Sequence, residues 1–416
     1  MDERLPGVDE GPPEQVICHV DMDCFYAACE RLREQALEGE PLVVGMGYES
    51  GETHGAVATA SYEAREFGVE SAMAITEALD RLPRKAVAEE DPDTDPGETG
   101  YYRPVDIDFY QSVAAEVKEI LHDTAETVRE VSIDEAYLDV TDSVDWPAAT
   151  DFGQHLKTRI EEEVGVVASV GIAPTMSAAK IASDHDKPDG LTVVEPGGVR
   201  EFLAPLDVGE VHNVGPVTAR ELRGMGIETA GDLAAADPDP LTERFGERGR
   251  TIWAYARGED DRTVEPVGRP KSLSRESAFT EATADPGRKR ERVRALANDV
   301  AQRAAREDAL YQTIGIKVVT PPFSVNTRAE SLPGPVEDAG LLEEVALDLL
   351  TEFADDDVRK LGVRVSNLSF TADEQATLDG FEDGPARENR SLREFDDSGG
   401  DADAGESGQQ SLTDFE

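Results

Sequence analysis

The sequence predicts a multidomain α+β protein, and three observations carry that prediction. The chain has 416 residues, enough for about two to four domains with real cores. Up to about residue 195, short strand-like apolar runs alternate with helix-like 3.6-residue spacing. Beyond it the pattern changes twice, first to short helices joined by glycine, then back to strands and long helices.

In chain order, Val16 to Val20 reads as a buried strand and Cys24 to Arg33 as a helix. Pro41 to Met46 and Gly55 to Ala60 read as strands, Ser61 to Phe67 and Ile75 to Leu82 as short helices. Residues 89–100 are acidic and interrupt the pattern like an inserted loop. Val105 to Leu121 is helical by its period, and Thr127 to Ser132 and Glu135 to Val140 are strands meeting at a tight turn. Helix Phe152 to Glu163, strand Val166 to Ile172, helix Thr175 to Ser183 and strand Leu191 to Val194 complete this part. Short helices fill residues 196–257, and residues 258–267, rich in charge and proline, read as a linker. Strands Thr313 to Val319 and Gly362 to Phe370 and helices Arg288 to Glu307 and Gly340 to Phe353 make a further domain, residues 268–372. Residues 373–408 are acidic and Gly/Ser-rich, a composition that cannot bury a core. Residues 1–15, acidic and Pro/Gly-rich, read as a flexible extension with neither signal nor transit character.

Composition narrows the function. The chain holds 89 Asp+Glu against 40 Lys+Arg, a net charge of −49, which disfavours the simplest nucleic-acid binder, a basic one. Its cations are 31 Arg and 9 Lys. Many carboxylates, few lysines and 39% apolar residues fit a salt-rich cytoplasm, although a mesophilic acidic protein shares that composition. Residues 1–267 carry −36 and residues 371–416 carry −11, whereas residues 268–370 carry only −2. No apolar run approaches the roughly 18 residues of a membrane span. Three cysteines, Cys18, Cys24 and Cys29, are an odd count that fits a reducing compartment, and no second CxxC or His pair supports a zinc site.

Carboxylates stand where strands end: Asp21 and Asp23 after the first strand, Asp134 and Glu135 at the turn between two others. Such groups can share divalent cations, which prefer hard oxygen ligands, and paired cations serve in-line phosphoryl transfer. Taken singly, acids at strand ends are ordinary solvated groups, all the more in so acidic a chain.

The surrounding residues carry a resemblance. Val20-Asp21-Met22-Asp23-Cys24-Phe25-Tyr26-Ala27 resembles the first motif of the Y-family DNA polymerases. Gly55 to Arg65 is similar to the family's fingers motif, and Ser132-Ile133-Asp134-Glu135-Ala136-Tyr137-Leu138-Asp139 to its palm motif. Ala179-Lys180-Ile181-Ala182-Ser183 and Lys187-Pro188-Asp189-Gly190 match a fourth block. The motifs occur in family order over most of residues 16–370, with the DinB branch as the nearest likeness and the acidity of a haloarchaeal member.

The resemblance implies a right-hand polymerase: a palm with a mixed sheet (16–32 and 103–195), small fingers (33–102), a helical thumb (196–257) and a little finger (268–372). It implies a monomeric, cytoplasmic, low-fidelity translesion enzyme without proofreading, acting on primer-template DNA and deoxynucleoside triphosphates. Asp21, Asp134 and Glu135, with the Met22 carbonyl, would ligate two Mg²⁺. An anionic triphosphate beside three carboxylates needs cations between them. Asp23 reads as structural. Tyr62, Arg65, Lys187 and Thr59 match triphosphate contacts, and Tyr26 matches the steric gate that excludes a 2′-hydroxyl. Ala56, Ala58 and Ala72 match small residues roofing the nascent pair. The bland alternative for Tyr26 and Tyr62 is ordinary core packing.

Val211 to Leu222, followed by Gly226-Ile227, resembles a helix–hairpin–helix, which grips DNA phosphate through backbone N–H groups. Gly215 belongs to its hairpin, and Asn213 stands where a first glycine is usual; Asn tolerates positive φ better than most residues. Lys271, Arg275, Arg359, Lys360 and Arg364 are candidate phosphate contacts of the little finger, with a solvated face as the bland alternative for each. Gln409, Leu412 and Phe415, within residues 409–416, fit the box that docks on sliding clamps, with Glu416 in place of its second aromatic. A repair scaffold without catalysis would use the hairpin and clamp box but has no need of the carboxylates. A cyclase-like palm enzyme would need the carboxylates alone.

Overall fold

The computed structural model describes residues 15–49, 55–90 and 95–370. Chain contacts divide the molecule into two units, residues 1–267 and 268–416, each described on its own.

The first unit opens with β1 (Ile17–Met22), α1 (Phe25–Arg33), β2 (Leu42–Gly45), β3 (Val57–Ala60), α2 (Tyr62–Glu66), α3 (Ile75–Arg81), α4 (Lys85–Glu90) and β4 (Tyr101–Arg103). Next come α5 (Ile107–Thr124), β5 (Thr127–Glu130), β6 (Glu135–Asp139), α6 (Ala149–Val164), β7 (Ala168–Ala173), α7 (Met176–His185) and β8 (Leu191–Val193). Short helices follow: α8 (Val199–Leu203), α9 (Pro216–Gly224), α10 (Ala230–Ala235), α11 (Pro238–Phe245) and α12 (Glu247–Ala256). The larger sheet has the order β5-β6-β1-β7-β8, and a smaller one the order β3-β2-β4.

Every residue of β1 is buried, which is why it reads as a run rather than as an alternation. On one face of β1 and β7 lies α7, and Gly171 permits the approach. A Cβ there would stand 2.2 Å from the Ala179 carbonyl oxygen and 2.3 Å from the Ser183 nitrogen. Helix α5 buries Tyr110, Val113, Ala114, Val117, Ile120 and Leu121 at helical spacing, and Asp106 caps it by accepting from the Phe109 N–H. The core under α7 continues into the short helices through Leu203, Val214, Leu222, Leu241 and Ile252. Cys18 and Cys29 are buried and Cys24 is half-buried.

The second unit contains β9 (Ser272–Thr283), α13 (Pro286–Arg306), β10 (Ala309–Thr320), β11 (Ser324–Val336), α14 (Ala339–Leu350) and β12 (Val358–Phe370). Its antiparallel sheet has the order β11-β10-β12-β9, with both helices packed on it over Val293, Leu296, Ile314, Ile316, Leu342 and Val363. Lys289 of α13 is 1% exposed and donates to the carbonyls of Phe353, Ala354 and Asp356 at 3.0, 2.7 and 2.9 Å, so an ammonium ties the turn that follows α14 to α13.

Three strands escaped the sequence reading. β4 has only three residues and is held parallel to β2 by pairing alone. β9 and β11 leave one face open and are polar there, and β11, at the sheet edge, contains Pro333 and Pro335, residues that belong on edges. The acidic insert is less loop-like than expected: α4 runs to Glu90 and a 3₁₀ turn spans Pro96–Glu98.

Candidate active site

The carboxylates meet because β1 and β6 are antiparallel neighbours, with Asp21 opposite Glu135. The turn before β6 is fixed by Ser132, whose Oγ accepts from the N–H groups of Asp134 (3.2 Å) and Glu135 (3.0 Å) and donates to Asp134 Oδ1 (2.5 Å). The Met22 N–H donates to the Asp134 carbonyl at 3.0 Å. Asp21 and Asp134 are 6% and 9% exposed.

Two ammonium groups lie among these acids. Lys180 Nζ is 2.7 Å from both Asp21 Oδ2 and Glu135 Oε1, and 3.1 Å from Asp184 Oδ2. Lys187 Nζ is 2.7 Å from Asp21 Oδ2 and 2.9 Å from Asp184 Oδ1. Burial alone would raise the Asp21 pKa, but the flanking Lys180 and Lys187 hold it well below the usual range. Burial, helped by the neighbouring Asp21 charge and opposed by Lys180, pushes Glu135 up to about 7. Burial opposes the charge of Lys180, but Asp21, Glu135 and Asp184 together hold it well above the ordinary lysine value.

The donor set suits divalent cations. Carboxylate oxygens are hard ligands, and the Lys180 ammonium stands in for a cation between Asp21 and Glu135. Among the described residues, no three His, Cys, Asp or Glu side chains already converge as a metal cage; the ammonium groups hold Asp21 and Glu135, and Ser132 holds Asp134.

Asp23 is a hub. Its carboxylate accepts from Ser169 Oγ (3.0 and 2.9 Å), the Asp189 N–H (2.8 Å) and the Tyr62 hydroxyl (3.0 Å). Tyr62 thus spends its proton on Asp23. Arg65 lies over the Tyr62 ring at 4.7 Å, and its Nε donates to the Ala60 carbonyl at 3.1 Å. Thr59 is buried in β3 opposite Val44. Tyr26, half-buried in α1, stacks on Tyr110 with centroids 4.5 Å apart and planes 19° apart. Tyr110 is fixed in turn by donating to Glu30 at 2.7 Å. Burial and then the Asp134 charge push the Tyr26 phenol up to about 12.

Several participants have no role in the sequence reading, Lys180 and Asp260 among them. Lys180 sat inside a recognised motif without a role; its i,i+4 relation to Asp184 was the available signal. Asp260 lies far along the chain in an acidic stretch. Its side chain is 1% exposed and paired with Arg262, and its Oδ2 accepts from the Ser177 N–H at 2.9 Å, within the first turn of α7.

Gly215 is the N-cap of α9, which begins at Pro216, and Asn213 takes φ +70°. In the second unit, Lys360 is paired with Glu276 at 2.6 Å, and Arg359 donates to the Thr280 carbonyl at 2.8 Å. Arg275 lies opposite buried Val363 and 3.9 Å from Asp299 of α13, so it turns to the helix-covered face. Lys271 and Arg364 are exposed. Gln409, Leu412 and Phe415 lie outside the described residues.

Acids at the ends of two paired strands, with cationic and hydroxyl side chains around them, are the side-chain types that metal-assisted phosphoryl transfer employs. A model of the impB/mucB/samB family matches residues 20–184, its helix–hairpin–helix motif matches residues 196–227 and its C-terminal domain matches residues 270–379. The chain is 63% identical over 379 residues to DNA polymerase IV of Halobacterium salinarum, covering 91% of each. It is 40% identical over 368 residues to DNA polymerase IV of Methanoculleus marisnigri, covering 88% of this chain and 98% of that one. Among solved structures it is similar to a Y-family DNA polymerase chimera (TM-score 0.73, 27% identity), covering 86% of this chain and 100% of that one. It is also similar to DinB from Sulfolobus solfataricus (TM-score 0.58, 26% identity), with the same coverage. The chain belongs to the Y-family DNA polymerases, the impB/mucB/samB family. Its fold class is the right hand with a helix–hairpin–helix and a C-terminal α/β domain. No helix of the described residues is long and apolar enough to cross a membrane.

Proposed function

We propose that this chain extends a primer 3′-hydroxyl on template DNA by translesion synthesis, with Asp21, Asp134, Glu135 and the Met22 carbonyl holding two Mg²⁺. The observation that carries the reading is the register of Asp21 opposite Glu135, with Asp134 tied to the Met22 N–H. When bound, such cations supply Lewis-acid activation and neutralise the triphosphate charge. The chain's own residues orient and select. Lys180 and Lys187 leave the carboxylates, and Lys187 joins Arg65 and Thr59 on the triphosphate, Arg as a fork and Lys as a point charge. Tyr62 reaches the same group by releasing Asp23. Tyr26, braced by Tyr110, lies under the sugar and rejects a 2′-hydroxyl by contact. Ala56, Ala58 and Ala72 leave room above the nascent pair for a damaged base.

In this reading the palm is residues 16–32 and 103–195, the fingers 33–102, the thumb 196–257 and the little finger 268–372. Gly215 and Asn213 present backbone to DNA phosphate, and Lys271, Arg359 and Arg364 add side-chain contacts, whereas Lys360 is held by Glu276. Arg275 fits that role less well. Gln409, Leu412 and Phe415 dock on a sliding clamp, and the chain works as a cytoplasmic monomer. The test is primer extension on damaged and undamaged templates in high potassium salt, with and without clamp. Asp134→Ala and Glu135→Ala should each lose at least about a thousandfold in rate, the equivalent of roughly 4 kcal/mol. Deletion of residues 409–416 should remove only the stimulation by clamp. Wild-type rates in either alanine variant would defeat the catalytic assignment, and an equal fall with and without clamp would defeat the clamp assignment.

A further inference from the structure

On the open face of the second unit's sheet, Glu276 of β9, Gly362 of β12 and Lys317 of β10 stand in one row across three strands. Glu276 reaches over the glycine. Lys317 Nζ donates to its two oxygens at 2.9 and 3.2 Å, and Lys360 Nζ lies 2.6 Å from Oε2. Gly362 leaves the space: a Cβ there would stand 2.8 Å from Glu276 Cγ and 3.4 Å from Lys317 Cβ. The side chains of Glu276, Lys317 and Lys360 are 22%, 35% and 24% exposed. Burial opposes the Glu276 charge, but Lys360 and Lys317 together keep its pKa below the usual range. One carboxylate therefore engages both lysines of a face that also carries exposed Arg364.

We propose that Glu276 is a built-in counter-ion that withholds Lys317 and Lys360 from DNA phosphate, so that this face binds duplex weakly and with a shallow salt dependence. The proposal rests on the reading of this unit as a DNA-binding domain. A lysine that contacts phosphate releases condensed counterions and contributes about 0.9 to the slope of log K against log salt on duplex DNA. A lysine already neutralised by a carboxylate releases none. The cost to affinity brings tolerance: binding that does not depend on counterion release is not lost in concentrated salt.

The experiment is anisotropy titration of full-length protein on primer-template duplex over a range of KCl. Glu276→Gln should bind more tightly at low salt and steepen the slope by about 1 to 2, one increment per lysine released. Glu281→Gln, at an exposed site on the same strand, adds the same charge without touching the lysines and should leave the slope unchanged. Gly362→Ala, which crowds Glu276 at constant net charge, should move the slope in the same direction as Glu276→Gln. Lys317→Gln with Lys360→Gln should change little in wild type and abolish the gain in Glu276→Gln. Equal effects of Glu276→Gln and Glu281→Gln would overturn the proposal as a mere net-charge effect. An unchanged Glu276→Gln slope with weakened lysine variants would overturn it while leaving the DNA-binding reading intact. Duplex binding indifferent to all these variants would overturn both the proposal and the DNA role of this face.

Discussion

Single residues decide the chemistry here, and their legibility differs. Tyr26 combines a motif position with a specific brace, its stack on Tyr110. Tyr26→Ala should raise ribonucleotide incorporation relative to deoxynucleotide by at least about tenfold, a selectivity of only some 1.4 kcal/mol. Competing nucleotide incorporation in single-turnover extension measures it, and unchanged sugar selectivity would remove the gate assignment. Asp21, Asp134 and Glu135 were readable because strand ends and a turn place them together whatever the rest of the fold does. The Lys180 bridge was not readable, because it depends on α7 lying against Gly171, a contact between elements. The bond between Tyr62 and Asp23 was hidden likewise: sequence gave each a role but no partner, and the two are 39 positions apart.

At the scale of elements, α7 is the piece on which the site turns. It carries Lys180, and its first turn is capped from a distance by Asp260. Burial opposes the Asp260 charge, but the bond and charge of Arg262 and the N–H groups of Ser177 and Arg262 hold its pKa below the ordinary value. A carboxyl with a depressed folded pKa adds stability that is complete above its unfolded pKa of about 3.9 and is lost as pH falls through the folded value. Asp260→Asn should therefore cost about 2 kcal/mol near neutral pH, and the gap to wild type should close in acid. Denaturant unfolding of both proteins against pH measures this, and a gap of constant width would dismiss the ionic role. The elements themselves were legible where burial is one-sided or complete, as in α5 and β1. They were illegible where pairing alone defines them, as in β4, or where both edge position and proline mask the pattern, as in β11.

For the whole molecule the dominant quantity is the charge of −49. Self-repulsion on that scale opposes the compact state, and at about 1 M salt the Debye length falls to roughly 3 Å. Both the unfolding midpoint and primer extension should rise with KCl up to molar concentrations. A low-salt optimum with the fold intact would undo the halophilic reading without touching the polymerase one. The contrast between the acidic first unit and the nearly neutral sheet-and-helix segment, residues 268–370 with a net −2, was visible at once in the sequence. The arrangement of charges inside that segment was not. Counting shows only that the segment is nearly neutral, whereas strand register sets Glu276 in one row with Gly362 and Lys317, next to Lys360 of the adjacent strand.

The three thiols of the first unit have a use outside catalysis. Cys18 lies in β1, the strand that carries Asp21, Cys29 in α1, and Cys24 at the N-cap between them. Burial pushes Cys18 up to about 12 and Cys24 to about 11, and it raises Cys29 further still. Thiolates, not thiols, react with electrophiles, and Cys18 and Cys29 are also buried, so modification of these two must wait for this strand and helix to open. The rate at which a thiol reagent reaches Cys18 and Cys29 in the native protein is therefore a clock for the local opening of the segment that carries Asp21, with no introduced label.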